Sequence, residues 1–547
     1  MRRRAPLLPL LALTACSPIA LANFGDYDVV EETESDSTSN ATADSSDTSN
    51  ASGSAGDDSD GSGGSTSATD DPPSGEGPPY APPSIAQVSL TPTPIHLNGP
   101  ITVEVAAAAA DGVRMELDDG TAIELTPQGD DDAPTTFVGT IPIYTGLANG
   151  EHTATLTPWR GALEGANATA DYTVSLPKPG SERFWETGDL IDAGFVAALG
   201  VLPDGDIVEL GTHYVDEVPR CYLRRRDKGG GWWKADVIDL LDAQECTAID
   251  LKVRDDGTLA ILLTRHDNGV ARWWLGEMAG WGAPEKNLRV GTPGEFAAAL
   301  AVAGDLTAVC GSVPTQKLDA WDAALWLSRP DLAGEARLFD LQPIDKEPHR
   351  FGETVRDCVF TGDTIVMVGE AHGHHDGDLL TKRDRHFVLR HDIFTDDDGW
   401  LVASGGVGLQ SGATAVTVDD EGRVLTAGYR CGDDCDPIGT LQVHDTEGLV
   451  WHADIGAWPT KAYAARGLEW SPAGYVVLAS GGPTGSEDAF TIRAYAPLDM
   501  VAPLWTYTRS DANFVHMAMA LAIGPYGEVW AAGFGESGYP AVAQVAG

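Results

Sequence analysis

The chain has 547 residues, of which 82 are acidic and 35 are basic, so its formal net charge is −47. Nucleic-acid binding requires a basic surface, and this charge balance therefore excludes nucleic acid as a partner. It also disfavours docking on an anionic membrane surface, and it helps an exported protein to stay soluble.

Residues 1–15 are predicted to be a lipoprotein signal peptide. Three arginines follow Met1, and the apolar run that comes next, residues 7–13, is too short to span a bilayer. Leu13-Thr-Ala-Cys16 resembles the bacterial lipobox, whose cysteine is acylated before cleavage. We therefore expect acyl chains on Cys16 to anchor the protein to the lipid bilayer of a bacterial cell envelope. The alternative is an ordinary signal peptide with an incidental cysteine.

The residue after Cys16 is Ser17 rather than aspartate. In the enterobacterial sorting rule, this residue implies the outer membrane. We therefore expect the mature protein to be anchored to the outer membrane and to be either periplasmic or surface-exposed.

Residues 16–84 are predicted to be a disordered linker. From Asn23 onward the composition is dominated by Ser, Asp, Thr, Gly, Ala and Pro, and no Lys or Arg occurs between Phe24 and Arg114. Such a segment cannot bury enough apolar area to offset its chain entropy. About 60 residues of flexible chain reach roughly 45 Å, so the linker would hold the folded part away from the membrane.

Residues 85–177 are predicted to form a small immunoglobulin-like β-sandwich. Six stretches alternate polar and apolar residues as half-buried strands do, and turn signals such as Asn149-Gly150 separate them. The stretches are residues 88–90, 101–105, 113–117, 137–141, 150–156 and 170–174. About 90 residues with this rhythm are typical of such a sandwich, although the cysteine pair and core tryptophan of true immunoglobulin domains are missing.

Residues 181–547 contain one pattern seven times: a strand, a tight turn with glycine, and a second strand. The clearest copy spans residues 413–428. The turn glycines are 47 to 60 residues apart and are Gly205, Gly257, Gly304, Gly362, Gly422, Gly474 and Gly527. This spacing matches the blades of a propeller, and glycine suits a hairpin turn that needs positive φ.

The predicted fold class is therefore all-β, with a seven-bladed propeller as the main domain. Each hairpin is followed by a third and a fourth strand, but the seventh repeat stops after its third strand, near Val545. We expect residues 182–189 to supply the missing strand, in the sheet that contains Trp530, and so to close the ring. The alternative is an open arrangement of seven hairpins, either a solenoid or a pair of sandwiches.

Six cysteines lie in the propeller region, and an even number in an exported chain indicates disulfides. Six cysteines allow fifteen connectivities. Sequence order and neighbouring blades favour the pairs Cys221–Cys246, Cys310–Cys358 and Cys431–Cys435. Metal ligation is the alternative, but a lone Cys-x-x-x-Cys is a poor zinc site.

One loop of the fourth repeat concentrates metal-ligating side chains, namely His372, His374, His375, Asp376 and Asp378. Three imidazoles and two carboxylates can hold Zn²⁺ or Cu²⁺. Their spacing is not that of a helical i, i+4 pair, however, and the loop is rich in glycine. We therefore interpret it as a solvated loop, and we predict neither a metal nor a cofactor.

Catalytic residues are not evident on the innermost strands, which are dominated by Ala, Val and Leu. Asp250, Asp357 and Glu469 are exceptions on three different repeats, and we interpret each as a local hydrogen-bonding residue. Acid–base and nucleophilic catalysis both need side chains within hydrogen-bonding reach of one another. We therefore predict no catalytic residue.

The lipobox, the acidic Ser-rich linker, the small β-domain and the degenerate Asp-x-x-Gly repeats together resemble the predicted propeller lipoproteins of myxobacteria and their relatives. That resemblance implies no established activity. The leading hypothesis is an envelope scaffold that binds an unidentified protein or glycan on one propeller face.

The alternative hypothesis is an enzyme with its site at the central funnel, either a hydrolase or lyase or a quinone-type oxidoreductase. Residues 445–451 resemble the docking motif of quinoprotein propellers. A cluster of carboxylates or histidines at the funnel would favour the enzyme, and a flat or apolar face would favour binding.

Overall fold

The computed structural model describes residues 81–91, 101–118, 120–128, 136–141, 148–187, 194–227, 237–241, 244–283, 285–314, 321–328, 336–339, 353–374, 383–395, 397–404, 410–431, 437–457, 467–481, 489–498, 502–510, 516–524, 527–535 and 539–547. Every named element in these ranges is a β-strand, so the all-β class is confirmed. No helix in the described ranges is long and apolar enough to cross a membrane. The predicted signal peptide, with Cys16, and most of the predicted linker lie outside these residues.

The strands between residues 84 and 174 form one eight-stranded sheet. They are Ser84–Thr91 (β1), Ile101–Ala108 (β2), Gly112–Glu116 (β3), Ala122–Gln128 (β4), Thr136–Ile141 (β5), Gly150–Arg160 (β6), Leu163–Glu164 (β7) and Ala168–Val174 (β8). The order across the sheet is β1-β2-β5-β4-β3-β6-β7, and β8 also pairs with β6. The six predicted strands are present, whereas β4 and β7 were not predicted.

Alternation along the strands gives this sheet its core. In β2, Ile101, Val103 and Val105 are buried, while Thr102 and Glu104 between them are exposed. Side chains from the other strands complete one hydrophobic cluster with them. The described pairing forms a single continuous sheet, so the immunoglobulin-like assignment stays a prediction.

Seven four-stranded antiparallel sheets follow, and we number them as blades 1 to 7 in chain order. The chain enters them through Glu182–Thr187 (β9). Blade 1 contains Gly194–Val201 (β10), Ile207–Val215 (β11), Val218–Arg226 (β12) and Val237–Asp239 (β13). Blade 2 contains Cys246–Val253 (β14), Leu259–Asp267 (β15), Val270–Met278 (β16) and Lys286–Val290 (β17). Blade 3 contains Phe296–Ala303 (β18), Leu306–Pro314 (β19), Trp321–Ser328 (β20) and Ala336–Phe339 (β21).

The second half of the ring repeats the same order. Blade 4 contains Glu353–Thr361 (β22), Thr364–His374 (β23), Arg383–Asp392 (β24) and Asp397–Ser404 (β25). Blade 5 contains Gln410–Val418 (β26), Val424–Cys431 (β27), Ile438–His444 (β28) and Leu449–Ala457 (β29). Blade 6 contains Gly467–Ser471 (β30), Tyr475–Gly481 (β31), Phe490–Tyr495 (β32) and Trp505–Arg509 (β33). Blade 7 contains Met517–Ile523 (β34), Val529–Phe534 (β35), Pro540–Val545 (β36) and, from the front of the chain, β9.

The ring is closed by its two ends, as predicted. The first strand of each blade contacts the first strand of the next, and β34 of blade 7 contacts β10 of blade 1. β9 pairs antiparallel with β36, placing Trp185 opposite Ala543 in the sheet that contains Trp530. The seven-bladed propeller is therefore confirmed, and the open arrangements are excluded.

Two further features explain why this sequence folds in this way. All seven predicted turn glycines have positive φ, from 54° at Gly304 to 88° at Gly205, a region that other residues enter only with strain. Seven hydrophobic clusters of described residues lie between the blades, one at each junction. Because both faces of a blade are covered, a strand such as β31 is buried at every residue rather than at alternate ones.

Candidate functional site at the propeller axis

An aspartate on the innermost strand of blade 2 binds the neighbouring blade. Asp250 lies on β14 directly after a bulge, where the pairing with β15 shifts. Its Oδ1 accepts a hydrogen bond from the N–H of Leu251, and its Oδ2 accepts one from the N–H of Leu300 on β18, each over 2.8 Å. Oδ2 therefore holds blade 2 against blade 3, while Oδ1 fixes the side chain to its own strand.

Asp357 repeats this geometry between blades 4 and 5. It follows the bulge of β22, and its two oxygens accept hydrogen bonds from the N–H groups of Cys358 and of Val416 on β26, each over 2.8 Å. The equivalent residues after the bulges of blades 1, 3, 5 and 7 are Ala198, Ala299, Ala415 and Ala520. The predicted local hydrogen-bonding role is confirmed for both aspartates.

Lys252 adds a positive charge to the same region. It lies two residues after Asp250 on β14, with its Nζ 3.8 Å from Oδ2 of that aspartate. Its charge also interacts with Asp357 of blade 4 and with Glu469 on β30 of blade 6. Three alternate blades therefore direct these side chains towards the axis. We call Asp250, Lys252, Asp357 and Glu469 the axial cluster.

The axial cluster remains in contact with solvent. The side chain of Lys252 keeps 34 % of its accessible surface and that of Asp250 keeps 15 %. Water therefore screens the attraction between the two charges, and we do not regard their ion pair as a large source of stability.

Burial raises the pKa of two of the axial acids, Asp357 and Glu469. It raises the pKa of Asp357 to about 7, against the opposing effects of the Lys252 charge and two backbone hydrogen bonds. Burial also raises the pKa of Glu469, again opposed by Lys252. The pKa of Lys252 is raised, chiefly by the carboxylate of Asp250. At neutral pH Lys252 is therefore an ammonium ion, whereas Asp357 is divided between its acid and its carboxylate.

These states limit the chemistry that the axial cluster can perform. An ammonium ion has no free electron pair, so Lys252 cannot act as an amine nucleophile near neutral pH. Asp357 has a suitable pKa for proton transfer, but both of its oxygens already bind backbone N–H groups. Among the described residues, no side-chain hydrogen bond holds Glu469. The axial cluster therefore supplies charge and an exchangeable proton rather than a nucleophile paired with a base.

Sequence reasoning identified the three acids but missed Lys252. Its signal was its place in the repeat, five residues before the turn glycine Gly257. Glu469 has the same place before Gly474. Two opposite charges at one repeat position, on strands that are otherwise small and apolar, could have indicated the axial cluster.

A second charged group, also missed, lies where the ring closes. Glu186 on β9 accepts a hydrogen bond from Arg226 of blade 1. Its Oε1 also lies 3.5 Å from Nη1 of Arg224. Both arginines also bond Glu209 on β11, which is fully buried. We call Glu186, Glu209, Arg224 and Arg226 the latch, because they tie the closing strand to blade 1.

The other side of the closing strand binds blade 6. The hydroxyl of Tyr507 donates a hydrogen bond to Glu182 over 2.6 Å, and Arg509 donates one to the same carboxylate over 2.9 Å. The guanidinium of Arg509 also lies 4.7 Å from the ring centre of Trp185. The closing strand therefore contacts three blades.

Two of the three predicted disulfides are confirmed, and both join neighbouring blades. Cys221–Cys246 links blade 1 to blade 2, and Cys310–Cys358 links blade 3 to blade 4. Cys431 is buried at the end of β27. Cys435 lies outside the described residues, so the pair Cys431–Cys435 stays a prediction.

The predicted histidine-rich loop lies only in part within the described residues. His372 and His374 lie on the backbone of β23. The other three candidates, His375, Asp376 and Asp378, lie outside the described residues. Within the ranges given above, no three His, Cys, Asp or Glu side chains are grouped so as to hold a metal ion.

Comparison with known proteins concerns the fold alone. No known protein family and no curated protein matches the chain. Among solved structures, it is similar to a protein of unknown function from Dyadobacter fermentans, with 13 % identity and a TM-score of 0.40 over 68 % of this chain and 100 % of that one. It is also similar to the WD40 domain of coronin from Toxoplasma gondii, with 11 % identity and a TM-score of 0.38 over 68 % and 88 %. A third is the GH93 α-L-arabinofuranosidase of Fusarium graminearum in complex with arabinobiose, with 13 % identity and a TM-score of 0.36 over 54 % and 91 %.

Proposed function

We propose that this chain is a cell-envelope lipoprotein, anchored by acyl chains on Cys16, whose propeller is a binding scaffold for a protein or glycan. The observation that supports binding is the structural role of two axial carboxylates. Asp250 and Asp357 each accept one hydrogen bond from a backbone N–H of the next blade and one from their own strand, which fixes neighbouring blades to each other. A rigid scaffold of this kind is well suited to recognition.

An enzyme with its site at the axis is the second candidate. The observation that favours it is that Asp357, with a pKa of about 7, interacts with Lys252 and Asp250, whose side chains are partly exposed to solvent. Such a group can exchange protons at neutral pH, as a hydrolase or lyase requires. The described residues provide no observation in support of a quinone-type oxidoreductase.

One experiment distinguishes the two candidates. The full chain carrying Cys16→Ser is immobilised and exposed to peptidoglycan fragments, envelope polysaccharides and outer-membrane proteins. Each retained molecule is then incubated with the protein, and its mass is measured by mass spectrometry. We expect saturable retention with no change in mass.

The enzyme is supported instead if a retained molecule is converted. That conversion should then be abolished in Glu469→Gln, and the variant should unfold at the same temperature as the unmodified chain. Glu469 is the informative position because the carboxylates of Asp250 and Asp357 also support the ring.

The anchor is tested separately. Cells that produce the full chain are labelled with a palmitate analogue and compared with cells that produce Cys16→Ser. We expect the label only on the chain with Cys16, and we expect that chain alone in the outer-membrane fraction. Equal labelling of both chains would reject the lipoprotein assignment.

A further inference from the structure

Two strand edges of the N-terminal sheet face one groove. Among the described strands, β1 pairs only with β2, and β8 pairs only with β6. Both strands line a groove of about 470 Å³, with Ile85, Ala86, Gln87, Val88 and Leu90 on one side and Ala168, Thr169, Ala170 and Asp171 on the other. Alternate residues of an antiparallel edge strand direct N–H and C=O groups away from the paired neighbour. Both walls of the groove therefore offer backbone hydrogen-bonding groups.

Three apolar side chains of β1 lie along one wall of the groove. Ile85, Val88 and Leu90 are half-buried and pack on the core of the sheet, whereas Ser89 and Thr91 between and beyond them are exposed. An open strand edge with apolar side chains along it suits an extended peptide, which pairs through its backbone and places alternate side chains beside those apolar residues. A helix does not suit it, because the backbone groups of a helix are already bonded to one another.

The two walls of the groove come close together at one end. The carbonyl oxygen of Pro83, just before β1, occupies the space that a side chain at position 165 would need, so Gly165 permits this contact. The N–H of Gly165 is bonded to the carbonyl of Pro158 over 2.8 Å. The beginnings of β1 and β8 are therefore kept near each other.

The charge of the sheet narrows the choice of peptide. Residues 84–174 contain twelve acidic and two basic residues, and Asp171 lies in the groove wall itself. Charge complementarity therefore favours a peptide rich in Lys or Arg. It disfavours a second copy of the same sheet, which would bring like charges together.

We propose that this groove binds an extended basic peptide segment of a partner protein, which adds a strand to β1. This site lies on the N-terminal sheet and does not rest on the function proposed for the propeller. The probe for the test is a fluorescent eight-residue peptide of alternating lysine and valine. Its binding to the full chain carrying Cys16→Ser is measured by fluorescence anisotropy in 150 mM salt.

A matched pair of variants locates the binding. Ala86→Lys places a lysine on the open edge, which is how natural edge strands resist pairing. Ala122→Lys adds the same charge at the start of β4, on an exposed residue that does not line the groove. We expect saturable binding to the parent chain, an affinity at least about tenfold weaker in Ala86→Lys, and an unchanged affinity in Ala122→Lys.

Three results would overturn the proposal. The first is no binding, or equal binding to the two variants. The second is equal binding of a peptide with the valines replaced by proline, which keeps the charge but lacks half of the N–H groups. The third is binding that begins only after residues 17–80 are removed, because the groove would then belong to this chain's own segment. Circular dichroism of both variants should match that of the parent, so that lost binding is not lost folding.

Discussion

The carboxylate of Asp357 in blade 4 accepts a hydrogen bond over 2.8 Å from the backbone N–H of Val416 in blade 5. Asparagine can accept with only one of its two side-chain groups, so Asp357→Asn should leave one N–H without an acceptor. We expect the free energy of unfolding, measured in urea, to fall by about 1–3 kcal/mol.

The matched control for this substitution is Asp305→Asn, on the exposed turn of blade 3. Its effect should stay within about 0.5 kcal/mol. If the Asp357 and Asp305 variants were equally stable, the inter-blade role of Asp357 would be rejected.

The closing strand offers a comparison of a buried and an exposed carboxylate. The side chain of Glu186 is 7 % exposed within the latch, whereas that of Glu182 is 38 % exposed beside Arg509. Removing one partner from a buried ion cluster leaves an uncompensated charge, so Glu186→Gln should cost about 3–5 kcal/mol. Glu182→Gln should cost about 1 kcal/mol or less. Equal losses of stability in the two variants, measured by thermal or urea unfolding, would show that the latch does not hold the closing strand in place.

A buried histidine pair should make the propeller sensitive to acid. His386 of blade 4 and His444 of blade 5 have ring centres 6.2 Å apart. Burial lowers the pKa of His386 to about 3 and that of His444 to about 4. The unfolded chain takes up these protons near pH 6.5, so the stabilisation is present above pH 6.5 and is lost as the pH falls towards 4. Each histidine should contribute about 3 kcal/mol to that loss.

The acid dependence is isolated by a double variant. Asp357 acts in the opposite direction, because its raised pKa favours the folded state as the pH falls from 7. Unfolding free energies are therefore measured between pH 7 and pH 4.5 for the parent and for His386→Gln with His444→Gln. The parent should lose more stability than the variant over this range. Parallel curves of unfolding free energy against pH would contradict the role of the two histidines in acid sensitivity.

The disulfides should stabilise the ring by restricting the unfolded chain. Cys221–Cys246 spans 25 residues and Cys310–Cys358 spans 48. Replacing either pair by alanines should lower the free energy of unfolding by about 3–4 kcal/mol. Peptide mapping of the unreduced Cys16→Ser chain should also show the pair Cys431–Cys435 and no free thiol. Two or more reactive thiols after denaturation would contradict three disulfides.

The ring and its closure could be predicted from the sequence because their signals are local. Each turn glycine lies between the two strands of a hairpin, and the strand predicted at residues 182–189 matches the strand that the last repeat lacks. The two disulfides between sequential cysteines could also be predicted, because adjacent repeats become adjacent blades.

The charged groups could not be predicted so readily, because their partners come from distant parts of the chain. Lys252 interacts with Glu469 only once blades 2 and 6 share an axis. Glu209 and Arg224 look like the exposed half of alternating strands, yet both are buried beneath the closing strand. Polar alternation in a sequence does not distinguish a face in water from a face in a junction between blades.

We propose that the propeller binds its ligand without changing it. The most direct measurement is the mass of a retained envelope molecule before and after prolonged incubation with the full Cys16→Ser chain, in parallel with Glu469→Gln. The scaffold predicts an unchanged mass in both incubations and equal retention by the two proteins. A new product formed by the parent but not by an equally stable Glu469→Gln would contradict the claim and would assign catalysis to the axial cluster.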